Sequence, residues 1–132
     1  MIIQRKQITQ LVILTGIILW AGVISCKYDE VLPKEPDPGF QASFSRDIIP
    51  ILNASCNQSG CHNGAGHVPD LRAFVAYESL WSGNYIDTLV PDQSELYQWM
   101  SGLKGLPMPV EGANATNNAV VLQWIEQGAL NN

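Results

Sequence analysis

The sequence predicts an all-α chain of four or five short helices joined by long loops. Three observations carry that reading. Apolar residues recur at three- and four-residue spacing in four separate stretches, and no segment between them alternates as a strand would. Helix-capping residues stand at the starts of these stretches and glycines at their ends. The joining segments are rich in glycine and proline, which favour turns over regular structure. A chain of 132 residues, 46% hydrophobic and 14% charged, has room for one core plus an address segment. Its net charge of -5, with acids spread out, argues against a nucleic-acid partner and against electrostatic binding to anionic lipid.

The first 25 residues read as a lipoprotein signal peptide. Arg5 and Lys6 form a basic start with no acid, and Leu11 to Ile24 is an uncharged apolar run. That run of about 14 residues is short for a bilayer span of roughly 20. It ends Val23-Ile24-Ser25-Cys26, which resembles a bacterial lipobox, in which the cysteine becomes the lipidated first residue. Cleavage before Cys26 removes Arg5 and Lys6 and no acid, taking the formal charge from -5 to -7. Two acyl chains on Cys26 suffice for stable anchoring in membrane lipid. Residues 26–42 are then a lipidated tether: four acids, three prolines and few large apolar groups in 27–39 leave little to order it. The folded part begins near Phe40, with the domain proper over 43–132.

Ser43 can cap a first helix whose stripe is Phe44, Ile48, Ile51 and Leu52, kinked or restarted at Pro50. Residues 63–69 are loop. Asp70 can cap a helix presenting Leu71, Phe74, Tyr77 or Glu78, and Trp81, stopped by Ser82-Gly83-Asn84. Asp92-Gln93-Ser94-Glu95 resembles a capping box, opening a helix with Leu96, Trp99, Met100 and Leu103 on one face. A last helix starts at Asn114 or Thr116 and ends by Gln127, with Gly128 as its C-terminal glycine.

Between the first two helices lies Cys56-Asn57-Gln58-Ser59-Gly60-Cys61-His62. Two thiols followed at once by an imidazole is the arrangement that attaches haem covalently. The cysteines add across two vinyl groups and the histidine is delivered to one face of the iron. The usual form has two residues between the cysteines; this one has four. Gly60 relaxes the backbone where the loop closes. A sixth iron ligand must come from elsewhere, and Met108, held between Pro107 and Pro109, is well suited because the prolines limit how its thioether can swing. Met100, on a helical face, reads as core. His67, five residues past His62, would have to travel around the macrocycle edge and reads as surface.

Two plainer readings stay open on the residues alone. Exported paired cysteines commonly form a disulfide, so Cys56–Cys61 could close a small loop. Cys56, Cys61, His62 and His67 could also make a Cys2His2 zinc site, although neighbouring Cys61 and His62 would have to reach one tetrahedron.

The order of motifs extends the argument beyond the loop. Phe44, Asp47-Ile48-Ile49-Pro50-Ile51-Leu52, Cys56, Gly60-Cys61-His62, Pro69-Asp70-Leu71, Ser94-Glu95-Leu96-Tyr97, Pro107-Met108-Pro109 and Trp124-Ile125-Glu126-Gln127-Gly128-Ala129 follow one another. In that order they resemble a small monohaem c-type cytochrome domain of the kind found in bacterial exported lipoproteins, over about residues 43–130. That group includes members with a longer spacer between the cysteines. The resemblance implies a cytochrome c-like bundle around one haem c. It implies thioethers on Cys56 and Cys61, a proximal bond from His62 and a distal bond from Met108. It also implies that the Trp124 helix packs near the first helix and the haem edge.

His/Met ligation fills both axial positions and raises the potential, so the expected role is an electron carrier and not an enzyme in its own right. Its expected partners are redox proteins and membrane lipid. Its expected place is the periplasm-facing or surface membrane of a Gram-negative cell. The rival roles are a haem-based sensor or peroxidase with a labile sixth ligand, and a disulfide-closed binding or structural lipoprotein without cofactor.

Overall fold

The computed structural model describes residues 39–132, so the predicted signal peptide and Cys26 lie outside the described residues. The described residues hold helices and turns and no strand. The first helix begins as a π-helical turn, Phe44–Ile48, and continues as α1, Ile49–Ser55. Ser43 caps it as expected, its hydroxyl accepting from the Arg46 amide at 3.3 Å. Asp47 returns the favour, its carboxylate accepting from the Ser43 amide at 2.8 Å. Pro50 sits in the first turn of α1, where its missing N–H costs nothing, so it marks the restart from π to α.

The second helix, α2, spans Ala76–Ser82, a shorter and later element than the sequence predicted. Asp70 does not cap it. Its carboxylate is drawn instead to the Arg72 guanidinium and amide, which holds the chain in turns up to Val75. The buried face is therefore Ala76 and Leu80, while Phe74 is 78% and Trp81 37% exposed. Gly83 closes the helix as expected.

A 3-10 turn at Pro91–Gln93 precedes α3, Glu95–Met100. The expected capping box is not formed. Pro91 starts the turn, Ser94 becomes the residue before the helix, and its buried hydroxyl bonds to the backbone of Asp87 on both sides. Glu95 turns outward to the Trp99 indole and the Lys104 ammonium. Leu96 and Met100 face the core as predicted; Leu103 falls past the helix end and is 66% exposed.

The last helix, α4, runs Ala115–Glu126 with Asn114 as its cap, accepting from the Asn117 amide at 3.0 Å. Gly128 takes the left-handed conformation just beyond it. Trp124, Ile125 and Val121 are fully buried with Ile48, Leu52 and Leu80. Fully burying such a side chain stabilises by about 1.5–3 kcal/mol, so these six positions hold the helices together. Phe44 stands between two aromatics: Trp124 at 5.3 Å and the edge of Tyr77 at 5.2 Å. The predicted packing of the Trp124 helix on the first helix is thus present. Both chain ends of the domain meet there. The Phe44 amide donates to the Asn132 side chain, and the Ala42 amide to that of Gln127.

Among the described residues no helix is long and apolar enough to cross a membrane.

Candidate functional site

Helix α1 delivers Cys56 directly, as the residue that closes its C-terminus with an N–H bond to Leu52. Cys56 is thereby buried in the same cluster as Ile48 and Leu52, while Cys61 is half-buried at the far side of the loop. Both are free thiols. Burial, then the neighbouring Cys61 and Glu111, pushes the Cys56 thiol up to about 11. Its raised value makes Cys56 the less readily ionised and so the less reactive of the two thiols.

Backbone bonds fold the loop tightly. Cys61 N–H reaches Gln58 O at 2.9 Å, His62 N–H reaches Cys56 O at 3.1 Å, and His67 N–H reaches Cys61 O at 2.9 Å. Gly60 has φ +82, the left-handed conformation in which L side chains are strained, as the loop closure anticipated. Gly66 serves closeness: a Cβ there would lie 2.0 Å from the Cys61 carbonyl oxygen. The extra two residues of the spacer are absorbed inside this set of turns.

His62 is oriented by one contact that decides its chemistry. Its Nδ1 lies 3.0 Å from the Pro69 carbonyl oxygen. A carbonyl can only accept, so Nδ1 carries the proton and the lone pair of the neutral ring sits on Nε2. Among the described residues Nε2 has no hydrogen-bond partner. A histidine held at one nitrogen by a backbone carbonyl, with the other nitrogen free, has the arrangement typical of a metal ligand. Its own backbone is held as well, since the Leu71 amide donates to the His62 carbonyl at 2.8 Å. His67 is exposed, its ring 6.4 Å from that of His62.

Met108 is 40% exposed, in the loop between α3 and α4. Its amide donates to the Trp99 carbonyl at 2.9 Å, tying the loop to the end of α3. The later part of the same loop stands opposite the cysteine segment. Ala54, Ser55 and Gln58 on one side and Pro109, Glu111 and Asn114 on the other line a cleft of about 520 Å³. Neither His62 nor Met108 lines it. Large apolar side chains are left exposed near the two candidate residues: Val68 and Phe74 after His62, and Leu103, Leu106 and Val110 around Met108. Met100, by contrast, is core, 4% exposed, as predicted.

The donor types that haem c uses are present: two thiols in one loop, an imidazole beside them with Nδ1 held on Pro69, and an exposed thioether in a separate loop. A zinc site is not assembled, because among the described residues no three His, Cys, Asp or Glu side chains gather as a metal-binding group. Sequence reasoning missed the Pro69 carbonyl and everything behind it; a proline seven residues after a candidate ligand, at the end of its loop, was the one available signal. No protein-family model, no curated protein and no solved structure matches the chain.

Proposed function

We propose that this chain is an electron carrier with one covalently attached haem c, anchored to membrane lipid through Cys26. The observation that carries the reading is His62, with Nδ1 fixed on the Pro69 carbonyl and Nε2 free. When bound, the group supplies one iron that takes up and gives back a single electron. Cys56 and Cys61 would hold it through thioethers, each thiol adding across a vinyl double bond with no oxidant needed. His62 Nε2 would be the proximal ligand and Met108 the distal one, and with both positions filled by the chain substrate would have no place at the metal, which favours electron transfer over catalysis. The exposed apolar side chains beside His62 and Met108 supply surface that a large flat cofactor would cover. The tether keeps the domain near membrane-bound redox partners.

An optical spectrum of the protein exported from cells with haem-attachment machinery tests this, oxidised and then dithionite-reduced, native and denatured. A sharp reduced α band that stays with the denatured chain supports thioethers at Cys56 and Cys61. A weak far-red band in the oxidised native protein, lost in Met108→Ala, supports the distal assignment. Carbon monoxide binding to the reduced native protein would favour the sensor or peroxidase role instead. A colourless product would overturn the haem reading.

A further inference from the structure

The contact that orients His62 does not end at Pro69. The Pro69 carbonyl and the Asp70 amide belong to one peptide group, and the Asp70 N–H donates to Ser79 Oγ at 2.9 Å. The same plane therefore accepts from His62 Nδ1 at 3.0 Å on one edge and donates to Ser79 on the other. Ser79 is on α2, packed through Ala76 and Leu80 into the core, and Pro69 is buried. The chain of contacts thus runs from a rigid helix to the imidazole through one planar group. Asp70 is held further by Arg72, whose Nε and amide donate to Oδ1 and whose Nη2 donates to Oδ2, so the peptide has little freedom to turn.

We infer that Ser79 is a positioning residue for the proximal ligand: it fixes the Pro69–Asp70 peptide and strengthens its carbonyl as the acceptor for His62 Nδ1–H. Hydrogen bonds in series polarise one another; an N–H drawn toward an acceptor pushes density onto the carbonyl oxygen of its own amide. A stronger acceptor at Nδ1 makes the imidazole a better electron donor through Nε2, which favours the oxidised iron. This inference rests on the haem reading for its redox consequence, while the clamp itself does not.

The test compares wild type, Ser79→Ala and Ser79→Thr, each as the full exported chain in the state in which it is isolated. Amide exchange by NMR reads the clamp. Ser79→Ala speeds exchange of the Asp70 amide by roughly tenfold or more relative to its neighbours, and Ser79→Thr keeps it slow. Reduction equilibrium against a mediator reads the consequence. In Ser79→Ala it moves toward the reduced form by roughly two- to fivefold, less than the 10–100-fold typical of losing a direct partner of a metal-bound histidine; Ser79→Thr restores it. Unchanged Asp70 exchange in Ser79→Ala overturns the clamp whether or not haem is attached. Faster exchange with an unchanged equilibrium in haem-bearing protein overturns the tuning. A protein without haem defeats the functional reading alone, and the exchange result still decides the clamp.

Discussion

The two loops that carry the proposed axial ligands are built in opposite ways. The loop from Cys56 to Arg72 is closed by a succession of backbone bonds, a histidine-to-carbonyl contact, a serine from α2 and an aspartate–arginine pair. The loop from Ser101 to Ala113 is tied to the neighbouring α3, by the Leu103 and Met108 amides and the Lys104–Glu95 pair, and otherwise makes local turns that leave Leu103, Leu106 and Val110 outside. His62 is thus held by contacts from several elements, while Met108 is held by one neighbouring helix and stands between two prolines. If His62 and Met108 are ligands as proposed, one side of the site is built in advance and the other is stiffened locally.

Breaking the tight loop has the largest expected effect. Gly66→Ala drives a Cβ into the Cys61 carbonyl and costs about 3 kcal/mol, at the upper end for overpacking. The checks are thermal unfolding and the haem content of the exported protein, and retention of both at wild-type levels would show that the loop yields. The next effect belongs to pH. The Cys56 thiol is raised in the folded chain to about 11 from an ordinary value of 9.0. A raised value contributes stability that is present below pH 9 and is lost as pH rises toward 11. Haem-free chain should lose on the order of 2 kcal/mol across that window, and haem-bearing chain, whose sulfurs are thioethers, should not. Thiol alkylation at pH 8 sharpens the point: Cys56 in haem-free protein reacts about 100-fold more slowly than an ordinary thiol.

Met108→Ala probes the loose loop. Its side chain is 40% exposed, so the unfolding free energy changes by less than about 1 kcal/mol, while the distal spectroscopic band disappears. Equal losses of stability from Gly66→Ala and Met108→Ala would dissolve the contrast between the loops. The smallest effect is at the first helix. Asp47→Asn weakens the bond to the Ser43 amide and the pairing with Arg46, costing about 0.5–1 kcal/mol by chemical denaturation. The Asp47 carboxyl is held below its ordinary value first by the Arg46 hydrogen bond. Its contribution is present above pH 4 and fades as pH falls through the lowered value, so the mutant and wild-type curves converge in acid.

Legibility followed the range of the forces. Ser43, Asn114 and Gly128 act within one helical turn, and each stands where its local pattern placed it. The helix expected from Asp70 failed because a competing partner, Arg72, lies only two residues away and takes the carboxylate first. The expected cap at Asp92 failed because Pro91 had already begun a tighter turn. At the site, the motif from Cys56 to His62 and the Pro-flanked Met108 were readable as residue types with a chemistry. The Pro69 and Ser79 contacts were not, because neither residue carries a mark of the partner it meets seven or nine positions along the chain.

By itself, then, the sequence determined the all-α character, the caps at Ser43 and Asn114 and the stop at Gly128, the core role of Met100 and the cysteine–histidine motif, since each rests on neighbours within a few residues. Only the tertiary structure decided which face α2 buries, that Cys56 is sunk in the core beside Ile48 and Leu52, and which nitrogen of His62 is free. Those outcomes depend on groups brought together by packing, and packing is where separations along the chain cease to measure distance.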